Sequence, residues 1–200
     1  MMAGIMMSAG PRVKICGIRS KSDLKIAVDS GADAVGFING VTHRSEDALV
    51  PGEAAELVAA APPYVSTVLV THLEHAGQIL ELAEALGVDT VQVHGLVGIE
   101  VLREVFSRSY GRFRITRPVH VTGEKSVPDA LRVVGACHAV HLDSRTMDRL
   151  GGTGRTHDWS ISHKIVEMLA PLAVPVILSG GLRPENVVDA VKVVRPFASM

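Results

Sequence analysis

Residues 67–94, TVLVTHLEHAGQILELAEALGVDTVQVH, contain one complete unit of the pattern that organises this chain. The runs 67–70 (TVLV) and 90–93 (TVQV) are short and nearly all apolar or β-branched, which is typical of parallel strands buried on both faces. Between them, apolar residues of the stretch 76–86 recur three or four positions apart and predict an amphipathic helix. Gly87 follows where a C-terminal helix cap is expected. The stretch therefore predicts a strand, a helix and a second strand parallel to the first.

The same alternation continues along the chain in both directions. Each short β-branched run is followed by an amphipathic segment, and no change of composition suggests a second domain. The predicted strand and helix pairs are, in order, 13–18 with 22–30, 33–38 with 53–60, 67–70 with 76–86, 90–94 with 99–106, 113–121 with 127–134, 139–143 with 161–169, and 176–179 with 185–194. A repeat of this kind predicts either an open doubly wound sheet or a closed barrel.

The positions of the glycines favour the barrel. A dinucleotide-binding open sheet carries G-x-G-x-x-G after its first strand, whereas this chain reads CGIR at 16–19. Its glycine-rich segments come late instead, at 151–154 and 180–181, where barrel enzymes often bind phosphate. We therefore predict an α/β fold of the TIM (β/α)8 barrel type, with a flexible leader at 1–12 and a single barrel domain at 13–200.

The composition of the chain indicates which binding partners and which cellular compartment to expect. The 200 residues carry a net charge of −1, which predicts no general affinity for nucleic acid or for an anionic membrane. No apolar run reaches the roughly 18 residues of a membrane-spanning helix. Two cysteines, Cys16 and Cys137, do not suggest a disulfide framework and suit a reducing cytoplasm. We expect a cytoplasmic monomer or homodimer that acts on a small molecule.

Cys16 and Asp143 end two predicted strands, and barrel enzymes carry their active sites at the C-terminal ends of strands. A cysteine beside a positive group can ionise and act as a base, and Lys14 lies on the same face of its strand. A buried, inert thiol is the alternative. A carboxyl group in the position of Asp143 can have a raised pKa and act as a general acid, and we favour this role over that of an ordinary turn residue. The pair points to isomerisation by proton transfer.

Two glycine loops predict a phosphate site. Gly152, Thr153 and Gly154 precede a predicted helix, and Gly180 and Gly181 follow the last predicted strand. Backbone N–H groups of such loops, together with helix N-termini, bind phosphate. One loop alone would be a flexible connector as often as not, but two loops in adjacent units favour a shared anion site.

Three further polar residues are candidates for substrate binding. Gln92 and His94 share one face of the fourth predicted strand, and a polar layer satisfied inside the barrel is an equally good interpretation. Arg44 lies in the polar loop after the second strand, where it either binds a carboxylate through two hydrogen bonds or is simply solvated. The nine histidines lack the spacing of metal ligands, and we predict no metal site.

Six motifs, taken in order, resemble those of the phosphoribosylanthranilate isomerase family. The resemblance covers the chain from about residue 13 to residue 197. The ordered set is specific, although one motif alone would be weak. The motifs are KICG (14–17), GADAVGF (31–37), VQVHG (91–95), LDS (142–144), GGTGRTHDW (151–159) and SGGLRPEN (179–186).

The resemblance implies a barrel enzyme without cofactor or metal that converts N-(5-phosphoribosyl)anthranilate to a 1-amino-1-deoxyketose in tryptophan biosynthesis. It implies that Cys16 is the general base at C2 of the ribose and that Asp143 is the general acid at the ring oxygen. The two glycine loops would hold the phosphate, and Arg44 would meet the anthranilate carboxylate. The alternatives are another sugar-phosphate isomerase or epimerase, which would favour an aspartate in the first strand, and a non-catalytic phosphate-binding barrel.

The chain departs from the family pattern in three places. Residues 41–44 read VTHR instead of ending in Ser-Pro-Arg, and Pro118 falls inside the fifth predicted strand. The sequence also ends at Met200, before most of the family's eighth strand and helix. We therefore expect an open barrel edge, weak phosphate binding and low stability.

Overall fold

The computed structural model describes residues 10–42, 45–144 and 156–200. Strands and helices alternate through these ranges in the predicted order. The strands are β1 (Arg12–Cys16), β2 (Ala34–Ile38), β3 (Ser66–Thr71), β4 (Thr90–Val93), β5 (Arg114–His120), β6 (Ala139–Asp143), β7 (Val176–Leu178) and β8 (Ala198–Ser199). The helices are α1 (Lys21–Asp29), α2 (Pro51–Ala59), α3 (Ala76–Leu86), α4 (Ile99–Arg108), α5 (Ser126–Arg132), α6 (Trp159–Leu169) and α7 (Val187–Val194).

The strands form a closed parallel barrel in the order β1 to β8, which confirms the predicted fold. The expected open edge is wrong, because β8 pairs with both β1 and β7. Ala198 is the partner of Arg12 on one side and of Ile177 on the other. The backbone N–H of Arg12 donates to Phe197 O at 3.0 Å, and that of Met200 donates to Leu178 O at 2.9 Å.

The core lies between the barrel and the helices. Outward-facing side chains of the strands, such as Phe37, Leu69 and Leu142, are fully buried against the apolar faces of the helices. The uninterrupted apolar runs of the sequence are explained by this two-sided burial. No helix in the described ranges is long and apolar enough to cross a bilayer.

Pro118 is accommodated inside β5 by its neighbour Arg117. The pairing of β5 with β4 stops at Thr116, and a proline has no N–H to continue it. The Arg117 guanidinium donates instead to the carbonyl oxygens of Val93, Gly95 and Val97, at 2.9, 2.8 and 3.0 Å. Burial lowers the pKa of Arg117, with the nearby Cys137 opposing the shift. One side chain thus satisfies the carbonyls at the end of β4, close to His94.

We expect Arg117→Gln to lower the free energy of unfolding by about 2–3 kcal/mol, because buried carbonyls lose a charged donor. Urea unfolding measures this difference. Arg112→Gln is the matched control: Arg112 pairs with Glu84 at 2.8 Å on the surface, and its loss should cost at most about 1 kcal/mol. Equal effects of the two substitutions would contradict this role of Arg117.

Candidate active site

The C-terminal ends of the strands bring a set of titratable side chains to one rim of the barrel. Cys16 ends β1, His120 ends β5 and Asp143 ends β6. His72 and His94 directly follow β3 and β4. The rings of His72 and His94 are 4.9 Å apart between centroids, and those of His94 and His120 are 6.1 Å apart. Three neighbouring strands therefore present imidazoles at the rim that also carries Asp143.

Asp143 is buried, with 6% of its surface exposed, and it is held from two sides. The N–H of Ser144 donates to Asp143 Oδ1 at 2.8 Å, and His94 Nε2 lies 3.6 Å from Oδ2. The expectation of a raised pKa is wrong. Burial alone would raise the pKa of Asp143, but His94, and then His141 and His120, outweigh burial and hold it below its usual value. The protein therefore carries Asp143 as a carboxylate at neutral pH.

His94 connects Asp143 to a second imidazole. His94 Nδ1 and His72 Nε2 are 3.0 Å apart, a hydrogen bond whose direction depends on the tautomers. The side chain of His94 is only 10% exposed. His72, His94 and Asp143 thus lie in a row, with a hydrogen bond between the two imidazoles and a 3.6 Å contact between His94 and Asp143.

His141 lies beneath this cluster and is neutral. Its Nε2 is 2.6 Å from Ser179 Oγ, and the Ser179 hydroxyl donates to Leu142 O at 2.8 Å. Because that hydroxyl proton is already used, His141 Nε2 must be the donor. Burial, and then the charge of Lys14, lower the pKa of His141 to about 3, although Asp143 opposes the shift. His141 is therefore a structural donor that keeps Ser179 in place.

Cys16 shares its surroundings with Lys14, as the sequence predicts. A Cβ atom on Gly36 would lie 3.0 Å from Cys16 Sγ and 3.0 Å from Lys14 Nζ. Glycine at this position of β2 therefore leaves the space that both side chains occupy. Lys14 is 6% exposed, and its Nζ contacts Met200 Sδ at 3.0 Å. The thiol thus lies beside a buried ammonium group, while Cys16 itself is partly exposed.

The loop after β7 passes close to the end of β6. Gly180 has φ 88° and Gly181 has φ 67°, conformations that favour glycine. A Cβ atom on Gly180 would collide with the backbone N and the hydroxyl of Ser144. Ser144 Oγ lies 2.9 Å from His157 Nδ1, and His157 Nε2 lies 2.6 Å from Ser162 Oγ of α6. The β7 loop, the β6 end and the start of α6 therefore meet at one place.

The other residues predicted to belong to the site either lie outside the described residues or lie away from Asp143. Arg44, Gly152, Thr153 and Gly154 lie outside the described residues. Gln92 is 2% exposed and lies one pleat deeper in the barrel than His94, so that it is not brought together with Asp143. Within the described ranges, no group of three or more His, Cys, Asp or Glu side chains is arranged to hold a metal ion.

Three residues near Asp143 were missed in the sequence. His72, His120 and His157 did not stand out because single histidines are common and their spacing fits no metal pattern. A usable signal existed for two of them: His72 directly follows a predicted strand, and His120 lies near the end of another, where barrel enzymes place functional groups. Nothing in the sequence marks His157 beyond its place in the GGTGRTHDW motif.

His141 predicts a specific acid sensitivity of the fold. Its pKa in the folded protein is about 3, against about 6.5 in the unfolded chain. Neutral His141 therefore makes its full contribution to the free energy of unfolding above the pKa of the unfolded chain. This contribution is lost as the pH falls towards the pKa of the folded protein, by up to about 1.4 kcal/mol per pH unit. Urea unfolding between about pH 6.5 and pH 4 should show this slope, and His141→Gln should reduce it. His75→Gln, at an exposed residue, is the control that should retain it, and an unchanged slope in His141→Gln would contradict the assignment.

Comparison with known proteins identifies the family. Residues 13–198 match the family model described as N-(5'-phosphoribosyl)anthranilate (PRA) isomerase. The enzyme of that name from Natronomonas pharaonis is 42% identical over 94% of this chain and 85% of its own length. Isomerase 2 of Methanosarcina mazei is 37% identical over 93% of this chain and 81% of its own length.

Solved structures agree with the sequence comparison. The phosphoribosyl anthranilate isomerase of Thermotoga maritima superposes with a TM-score of 0.80 at 35% identity, over 94% of this chain and 86% of that one. A second isomerase structure, in complex with reduced 1-(o-carboxyphenylamino)-1-deoxyribulose 5-phosphate, has a TM-score of 0.77 at 33% identity, over 94% and 85% of the two chains. The rim that carries Cys16 and Asp143 therefore lies on a fold shared with these enzymes, and the chain belongs to the N-(5'-phosphoribosyl)anthranilate isomerase family.

Proposed function

We propose that this chain catalyses the Amadori rearrangement of N-(5-phosphoribosyl)anthranilate to 1-(2-carboxyphenylamino)-1-deoxyribulose 5-phosphate in tryptophan biosynthesis. The observation that carries the proposal is the pair of proton-transfer groups, Cys16 and Asp143, at one rim of a barrel of this family. The product-analogue complex of a relative shows that the family fold binds this class of sugar phosphate.

Ring opening is the first step. A proton is placed on the furanose oxygen, the C1–O bond breaks, and the lone pair of the anthranilate nitrogen forms the C1=N double bond. The proton comes from the Asp143 side of the rim, where His94 Nε2 lies 3.6 Å from the carboxylate. The iminium group then provides the electron sink for the next step.

Enolisation is the second step. Cys16, as thiolate, removes the proton from C2, and the electron pair moves to form C1=C2 while the iminium nitrogen becomes neutral. The Lys14 ammonium lies near the thiol, because both groups border the space that a Cβ atom on Gly36 would occupy. Protonation at C1 and loss of the proton from the C2 hydroxyl give the ketose. Atoms are conserved throughout, and no external oxidant or reductant is needed.

Because the pKa of Asp143 is low, its side chain is ionised, and the proton for ring opening has to be held by the neighbouring residues His94 and His72. A carboxylate cannot donate, so the acid proton must be held by its neighbours. We propose that His94 holds this proton between Asp143 and His72 and delivers it to the ring oxygen through Asp143. The buried pair thus acts as one general acid, which needs a single proton in total.

We also propose which residues bind the phosphate and the anthranilate carboxylate of the substrate. Gly180, Gly181 and the segment with Gly152, Thr153 and Gly154 would bind the phosphate through backbone N–H groups, and Arg44 would bind the anthranilate carboxylate. The close approach of Gly180 to Ser144 supports a shared site at this end of the barrel. We expect a cytoplasmic monomer or homodimer, and a relative from Thermotoga maritima is described as dimeric.

Turnover of N-(5-phosphoribosyl)anthranilate, followed by the loss of its fluorescence, tests the proposed function. The wild-type chain should turn over the substrate. Asp143→Asn and Cys16→Ser should each lower kcat by a factor of about 10²–10⁴, the usual contribution of a general acid or base. Lys125→Gln, at an exposed residue directly before α5, is the control that should keep full activity. Full activity in Asp143→Asn would contradict the proposal.

The pH profile tests the part played by His94. Asp143 is faced by His94 from the end of β4, by His120 from β5, by His141 from β6 and by His157 ahead of α6. His94→Asn removes the largest pKa-lowering influence on Asp143, so the pKa of Asp143 should rise and the pH dependence of kcat should differ from that of the wild type. A uniform loss of kcat with an unchanged profile would mean that His94 only positions Asp143.

A further inference from the structure

The lower half of the barrel, towards the N-terminal ends of the strands, is lined by small side chains. Layers of bulky branched residues normally fill this region of a (β/α)8 barrel. Here one inward residue of each odd-numbered strand is paired with a small residue of the next strand. The pairs are Lys14 with Ala34, Val68 with Thr90, Thr116 with Ala139, and Ile177 with Ala198.

These small side chains leave a cavity of about 590 Å³. Arg12, Ser66 and Arg114, the first residues of β1, β3 and β5, line its mouth. The cavity therefore opens at the N-terminal end of the barrel, opposite to the rim that carries Cys16 and Asp143. Its volume falls within the range of small-molecule binding sites.

Gln92 lies at the inner end of the cavity, and no hydrogen bond joins its side chain to the part of the chain that the structure describes. It lines the cavity, is 2% exposed, and its amide makes no hydrogen bond to any described residue. Buried polar groups are nearly always hydrogen-bonded, since an unmet group loses its interaction with water. The amide therefore offers both a donor and an acceptor to whatever occupies the cavity.

Lys14 adds a positive charge near the same end. It lines the cavity, is 6% exposed, and within the described ranges its ammonium donates to the thioether sulfur of Met200. A thioether is a weak acceptor and carries no charge. A buried ammonium group of this kind calls for an anionic partner.

The mouth of the cavity is also cationic. Arg12 is paired with Asp33 at 2.7 Å, whereas Arg114 forms no ion pair with any residue that the structure describes. An anion that enters therefore meets a positive rim and a positive inner end. Between them, Val68, Ala139 and Ile177 supply apolar walls.

We propose that this lower cavity is a second ligand site, separate from the reaction site, for a small organic carboxylate with an apolar body. The carboxylate accepts hydrogen bonds from the Gln92 amide and the Lys14 ammonium, and the apolar body fills the space over Ala34, Thr90 and Ala139. The two sites share Lys14, but the cavity opens at the end of the barrel opposite to the reaction rim, so that binding there does not require turnover.

The test is a titration of the full chain with 2-naphthoate, followed by the fluorescence anisotropy of the probe. We expect saturable binding of one molecule per chain. The neutral analogue 2-naphthalenemethanol, and the variants Lys14→Met and Gln92→Leu, should each weaken binding about tenfold or more, as expected for loss of a charged hydrogen bond. Thr90→Leu fills the cavity without removing a charge and should abolish binding even if Lys14→Met fails to fold.

Two controls separate this site from the reaction site. Asp143→Asn should bind 2-naphthoate as the wild type does, and the reduced aminodeoxyribulose phosphate should not displace it. Absence of saturable binding at millimolar probe would overturn the proposal. Loss of binding in Asp143→Asn, or displacement by the phosphate analogue, would also overturn it, because the probe would then occupy the reaction site.

Discussion

Closure of the parallel ladder is the constraint on which the rest of this structure depends. Once β8 joins β7 to β1, every strand has two neighbours, and alternate side chains must point into the barrel. The C-terminal ends of the strands then share one rim, so that residues far apart in sequence, such as Cys16 and Asp143, belong to the same site. The helices cover the outer face of the sheet and exclude water from it.

The same constraint explains which features could be predicted from the sequence. Burial on both faces produces uninterrupted apolar runs such as TVLV, and these, with the periodicity of α3, predicted a parallel α/β fold. The late glycine-rich segments then favoured a barrel over an open sheet. Residues at the ends of these runs had to lie at the rim, which identified Cys16 and Asp143 as candidates. Lys14 beside Cys16 followed from the two-residue period of a strand. The family motifs added chemistry that position alone could not supply.

Features that depend on pairing between distant strands could not be predicted. The pKa of Asp143 is low because β4, β5 and β6 each bring an imidazole towards it, and this balance against burial needs coordinates. Closure by Ala198 and Ser199 depends on two ladder contacts that have no signature in composition. Gln92 and His94 share a strand face, yet the pleat places Gln92 towards the lower cavity and His94 at the rim.

Proton NMR of the reaction in deuterium oxide tests the central claim most directly. If a solvent-exchanging base removes the C2 proton and C1 is protonated from the enol, the ketose formed by the wild-type chain carries deuterium at C1. Neither Cys16→Ser nor Asp143→Asn should form that product at a comparable rate. Formation of the deuterated ketose by Cys16→Ser or Asp143→Asn at the wild-type rate would contradict the account, because the proton transfers would then not need these two groups.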